Sequence, residues 1–126
     1  MAKRRDQSKH DSMVKSVADH VSTTRHTNVK ADIAGYNAPD MIYWENSKKG
    51  HIPDVTSSSD THYIFEVETD DSINDPHTED QWKLFSANAQ QYSKKFIVVV
   101  PKGSEQQARM RANQLGVTLD DVWTVG

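Results

Sequence analysis

From His10 onward the apolar residues Met13, Val14, Val17, Ala18 and Val21 recur at three- and four-residue steps. That period marks one face of a helix, and Asp11 or Ser12 can cap it. The polar run STTRHTN ends the helix. In VKADIAGY the pattern changes to alternation, with Val29, Ala31 and Ile33 on one side and Lys30, Asp32 and Ala34 on the other, which predicts a strand. NAPD turns the chain, MIYWEN reads as a strand or the continuation of a bent one, and SKKG is a turn. TSSSD is a hairpin turn between HIPDV and the strand THYIFEVET, and DDSINDPH is a loop. TEDQWKLFSANAQQYSKKF carries the strongest helical pattern, with Thr78 as its cap and Trp82, Phe85, Ala89, Tyr92 and Phe96 on its apolar face. FIVVVP is the continuous β-branched run of a strand covered on both faces. SEQQARMRANQLG is a third helix between Ser104 and Gly116, and DVWTV is a final short strand.

The element order is therefore α-β-β-β-α-β followed by α-β. The passage from IFEVE through the Trp82 helix to FIVVV implies a parallel crossover. These features predict an α/β fold, a mixed β-sheet flanked by helices. With 126 residues the chain suits one domain, expected over residues 10–126 behind a basic, disordered segment 1–9. Mean hydropathy is −0.80, yet three Trp, four Tyr and three Phe supply bulky core material. The longest apolar run, FIVVV, falls far short of the roughly 18 residues of a membrane span. MAKRRDQSKH lacks the apolar segment of a secretory signal, so the cytoplasm is the default compartment. Without cysteine there is no disulfide and no thiolate metal site.

Charge is unevenly distributed. Residues 1–30 hold seven Lys and Arg against three Asp, a net +4, and the remainder balances at −7. Residues 66–80 contain seven acids and no Lys or Arg. A basic arm beside an acidic patch fits a protein that meets phosphates at one surface and cations at another. A solvated tail and a solvated acidic loop would give the same sequence.

Glu66 and Glu68 interrupt YIFEVET, where glutamate is a poor strand residue and is rarely buried without a partner. Alternation places both on one face, with Tyr63, Phe65 and Val67 on the other. The hairpin returns Asp54 opposite the middle of that strand, near Glu66. Three carboxylates then converge, a donor set suited to Mg²⁺, which takes one or two carboxylates together with water and substrate phosphate. The alternative is an edge strand with a wet face and Asp54 as a turn residue.

Pro53-Asp54, a gap of eleven residues and then Glu66-Val67-Glu68, within an α-β-β-β-α-β order, resembles the PD-(D/E)XK nuclease superfamily. That family includes restriction endonucleases, Holliday-junction resolvases and RecB-type exonuclease domains. The likeness spans roughly residues 10–101 and implies a restriction-endonuclease-like core. It also implies that Asp54 and Glu66 ligate Mg²⁺ or Mn²⁺, with the main-chain carbonyl of Val67 as a third ligand. Glu68 stands where the family usually has lysine. A glutamate there can act as a base or a ligand, but it cannot bring positive charge to a phosphorane. Gln81 through Phe85 resembles the Q-x-x-x-Y element of RecB-like members, with Phe for Tyr. Lys83 falls on the solvent side of that helix. The acid that the family often takes from its first helix is absent, and His10 occupies that stripe.

The expected function is a Mg²⁺-dependent endonuclease hydrolysing DNA phosphodiesters, with Asp54, Glu66, Glu68, Gln81 and His10 in the catalytic site. Lys3, Arg4, Arg5, Lys9, Lys48 and Lys49 are the candidate DNA contacts, and a homodimer would supply two sites for two strands. The rival expectations are a catalytically inactive module of the same fold that binds DNA or a protein partner, and an acidic patch that binds a cation structurally.

Overall fold

The computed structural model describes residues 7–126. Helix α1 (Gln7–Ser22) is followed by β1 (Thr27–Ala31), β2 (Ile42–Tyr43), β3 (Gly50–His51), β4 (Val55–Ser58) and β5 (His62–Val67). Then come α2 (Pro76–Gln91), β6 (Lys95–Pro101), α3 (Glu105–Leu115) and β7 (Asp121–Val125). Five strands form one sheet in the order β1-β4-β5-β6-β7, and β2 pairs with β3 in a separate small hairpin. β1, β4 and β5 are mutually antiparallel neighbours, whereas β5, β6 and β7 run parallel, so the sheet is mixed as expected.

Alternation divides the core into two layers. Phe65, Val67, Ile97 and Val99 pack with Met13, Val14, Val17 and Val21 of α1. Ile64, Phe96, Val98 and Val100 pack on the other face with Trp82, Phe85 and Ala89 of α2 and with Ala108 and Ala112 of α3. β6 is buried from Phe96 to Pro101, because helices cover it on both sides. Burying each large apolar side chain stabilises the fold by about 1.5–3 kcal/mol, which makes the Trp82–Phe85–Phe96 cluster a main support of the α2 layer.

Several boundaries differ from the sequence reading. Gln7, Ser8 and Lys9, expected in the disordered segment, form the first turn of α1. The remaining expectation about that segment, including Lys3, Arg4 and Arg5, lies outside the described residues. β1 ends at Ala31, where the chain turns through Gly35 at φ 94°, although Val29, Ala31 and Ile33 do share the α1 side. A bulge between Thr27 and Lys30, with Asn28 at φ 50°, lets β1 keep pairing with β4. The cap of α2 is Asp75, whose side chain accepts from the His77 N–H, and Pro76 starts the helix; Thr78 is already inside it.

α2 also stops earlier than its period suggested. Tyr92 is a largely exposed C-cap, and Ser93 takes the left-handed conformation at φ 56°. The Lys94 N–H then closes onto the Ala89 carbonyl, and Phe96 belongs to β6 instead of the helix face. α3 is bounded by Ser104 and Gly116 as expected; Gly116 adopts the left-handed conformation that favours glycine. No helix among the described residues is long and apolar enough to cross a membrane.

Candidate active site

The β4–β5 hairpin fixes the site. Val55 pairs with Phe65 as the last register pair before the strands part, which sets Asp54 against Glu66. At that point side chains replace the backbone ladder. Asp54 Oδ2 accepts the Val67 N–H at 2.8 Å, and Glu66 Oε1 accepts the Asp54 N–H at 3.2 Å. The Asp54 carbonyl accepts the Asp32 N–H at 2.9 Å, tying the same residue to the end of β1. Glu66 is completely buried and Asp54 is 7% exposed. Two carboxylates so close would repel, and the N–H donors offset part of that cost.

His10 joins them from α1. It lies on the buried stripe, and its Nε2 sits 3.3 Å from Asp54 Oδ2 while Nδ1 is 3.2 Å from Asp11 Oδ1. A neutral imidazole can donate to only one of these oxygens, whereas an imidazolium donates to both. The stripe of Met13, Val14 and Val17 is what turns His10 inward; this was legible as position on the period, while its partner was not.

Glu68 has a different environment. Its N–H extends the parallel ladder to the Val99 carbonyl at 2.9 Å, and its carboxylate points into the α2 layer. Ser72 Oγ donates to Oε1 at 2.7 Å, Thr78 Oγ1 to the same oxygen at 3.4 Å, and Trp82 Nε1 to Oε2 at 3.2 Å. Of the three expected carboxylates, Asp54 and Glu66 share the backbone bonds at the end of the hairpin, whereas side chains of α2 and the preceding loop engage Glu68. Those partners were missed: Ser72, Thr78 and Trp82 were not connected to Glu68, although a lone indole N–H on a buried helix face requires an acceptor.

The other candidates are dispersed. Gln81 lies between Thr78 and Trp82 on α2, half-buried, and its Oε1 is buried with no hydrogen-bond partner among the described residues. Lys83 faces solvent as expected and pairs with Glu79 at 2.8 Å. Lys9 is exposed on α1 beside His10, and Lys48 and Lys49 are exposed in the turn between β2 and β3, just upstream of Pro53. Asp32 is exposed and reaches the site through its backbone. Pro39-Asp40 lies in the β1–β2 connection, where Asp40 stands 3.9 Å from Lys30.

A second polar cluster borders α2. His51 Nε2 lies 2.6 Å from Asp80 Oδ2, Trp44 Nε1 donates to the same oxygen at 3.4 Å, and the His51 and His77 rings meet edge to face. The His51 hydrogen bond holds the Asp80 carboxyl below its ordinary value. Burial, and then the neighbouring His51, push His77 below the usual histidine range.

As a cation site, the two carboxylates of Asp54 and Glu66 match the hard-oxygen preference of Mg²⁺. No group of three or more His, Asp or Glu able to hold a metal ion occurs among the described residues. Comparisons with protein-family models, curated proteins and solved structures gave no match.

Proposed function

We propose that the chain is a metal-dependent nuclease-like domain acting on DNA phosphodiesters, with a restriction-endonuclease-like core. The observation that carries this reading is the buried Asp54–Glu66 pair at the opening of β4 and β5, crossed by backbone N–H donors and approached by His10. The sheet order and the parallel β5–α2–β6 passage support it as well. Asp54 and Glu66 would hold Mg²⁺ or Mn²⁺, whose contribution when bound is to acidify water and offset charge on the phosphorane. His10 holds the Asp54 carboxylate in place. Gln81 offers a buried amide oxygen to a water at the edge of α2. Lys9, Lys48 and Lys49, with Lys3, Arg4 and Arg5, would neutralise DNA phosphates, and a homodimer would bring two sites to a duplex.

A specific observation favours a second reading. The Glu68 carboxylate, at the position of the family lysine, is committed to Ser72, Thr78 and Trp82. A domain so built keeps the fold and has given up the reaction, and it would bind DNA or a protein partner.

Metal titration against labelled single-stranded, duplex and junction DNA tests both readings. Under the first, Mg²⁺ or Mn²⁺ elicits cleavage that Asp54→Ala and Glu66→Ala each abolish. Binding without turnover under either metal selects the second, and cleavage unchanged in both variants removes Asp54 and Glu66 from the site.

A further inference from the structure

The α2 side of the sheet is left uncovered toward the turn of the β4–β5 hairpin. A cleft of about 260 Å³ opens there. β1, β4 and β5 form its floor, Ile42 and Asp40 one wall, and Lys94, just before β6, the opposite side. Its volume is below the range of about 300–1,000 Å³ typical of drug-sized ligands, so it suits a small group or one moiety of a larger molecule.

The lining is chosen for an anion. Thr56 and Ser58 present hydroxyls where the opposite face of the same strand buries Val55 and Ser57. Lys30 is registered with Thr56, so its side chain rises from the same face. In the strand order Lys94 stands three strands away from Lys30, roughly 14 Å across the floor, so the two lysines border the cleft from opposite sides. His62 hydrogen-bonds Ser58 Oγ through Nδ1 at 2.8 Å, which leaves Nε2 uncommitted among the described residues.

Neither lysine is strongly neutralised. Asp40 lies 3.9 Å from Lys30 and its side chain is 96% exposed, so water competes for that pair and a ligand displaces it at little cost. Lys94 donates to the Asn88 amide oxygen at 2.7 Å and lies 5.6 Å from the centre of the Tyr92 ring, with no carboxylate partner among the described residues. Partial burial also pushes its ammonium below the usual lysine range. A partly dehydrated cation on the border of a cleft that also holds hydroxyls and an imidazole gains from an anion more than a solvated surface lysine does.

We propose that this cleft is a phosphate-binding site, with Lys30 and Lys94 as its cationic walls and Thr56, Ser58 and His62 as its hydrogen-bonding floor. The phosphate comes from a small phosphorylated ligand or from a polynucleotide backbone. The site is distinct from the Asp54–Glu66 pair, which sits roughly 13 Å along the same strands from Ser58. It does not depend on the nuclease reading.

The test is an amide-resolved NMR titration of the full chain with inorganic phosphate and, separately, with a short oligothymidylate. Lys30→Gln, Lys94→Gln and the double variant are compared with Lys83→Gln, an exposed lysine outside the cleft. Both probes are expected to give saturable shifts centred on residues 28–30, 56–58, 62–64 and 94. Each cleft variant should bind about tenfold more weakly, the worth of one charge-assisted hydrogen bond, with an unchanged melting temperature. Lys83→Gln should bind as the parent does. Tighter oligothymidylate binding that the double variant abolishes identifies a polynucleotide, and equal binding of the two probes identifies a small phosphorylated ligand. The proposal is overturned if neither probe saturates, if shifts follow every exposed lysine alike, or if the double variant binds like the parent.

Discussion

Glu66 and Glu68 are two residues apart and equally buried, yet they serve different parts of the molecule. Glu66, with Asp54, completes backbone hydrogen bonding where β4 and β5 part. Glu68 completes side-chain hydrogen bonding between the end of β5 and the first turns of α2. A backbone N–H needs an acceptor whatever the sequence around it, so Asn or Gln can stand in. Hydroxyls and an indole gathered on one carboxylate need that shape and that charge. An amide should therefore be tolerated better at Glu66 than at Glu68, as far as folding is concerned.

The sharpest way to break this contrast is Glu68→Lys, which restores the residue type of the nuclease motif. A buried ammonium facing three donors should destabilise the fold by at least about 3 kcal/mol, measured by urea unfolding. A stable Glu68→Lys protein would mean that the Ser72–Thr78–Trp82 cluster can rearrange, and would return Glu68 to the candidate active site.

Next come Asp54→Asn and Glu66→Gln. Each keeps an oxygen for its backbone N–H, so the expected loss is about 1 kcal/mol, while any stabilisation by Mg²⁺ disappears. Melting temperature with and without Mg²⁺ reads both effects. If Glu66→Gln costs as much as Glu68→Lys, the two glutamates are structurally equivalent after all.

The smallest effect is in pH. His77 has a lowered value in the fold, so its contribution is present above the unfolded value of about 6.5 and is lost as pH falls through the folded one. Asp80, also lowered, contributes above about 3.9 and loses that contribution on further acidification. Both sit on the first turns of α2 beside Thr78 and Trp82. Acid should accordingly loosen the Glu68 side in two steps, with His77→Gln removing the first and Asp80→Asn the second. Thermal melts across this range, followed by tryptophan fluorescence, measure it.

Much of the fold was legible because hydrophobic period carries it: the α1 stripe, the β6 run and the Ser104–Gly116 limits all follow from local pattern. The failures occurred where a period outlasts its element. Tyr92 and Phe96 continue the spacing of α2, but Ser93 adopts a conformation that no spacing rule registers, and Phe96 crosses into the sheet. At the site, the hairpin itself was readable but its turn was not: TSSSD was expected to turn, whereas Thr56, Ser57 and Ser58 belong to β4 and the reversal at residues 59–61 is what sets Asp54 against Glu66. The engagement of Glu68 by Trp82 depends on how α2 docks across β5, a long-range contact without a local signature. The proposed phosphate cleft was invisible for the same reason, since Lys30 and Lys94 come to border one cleft only through the strand order.

The bonds from the Asp54 N–H to Glu66 and from the Val67 N–H to Asp54 also make the site self-reporting. Two amide protons, those of Asp54 and Val67, are shielded by the carboxylates that the proposed cation would recruit. Drawing either carboxylate away uncovers one identifiable amide, so the hydrogen-exchange rates of these two positions register occupancy without a substrate, a label or a reaction.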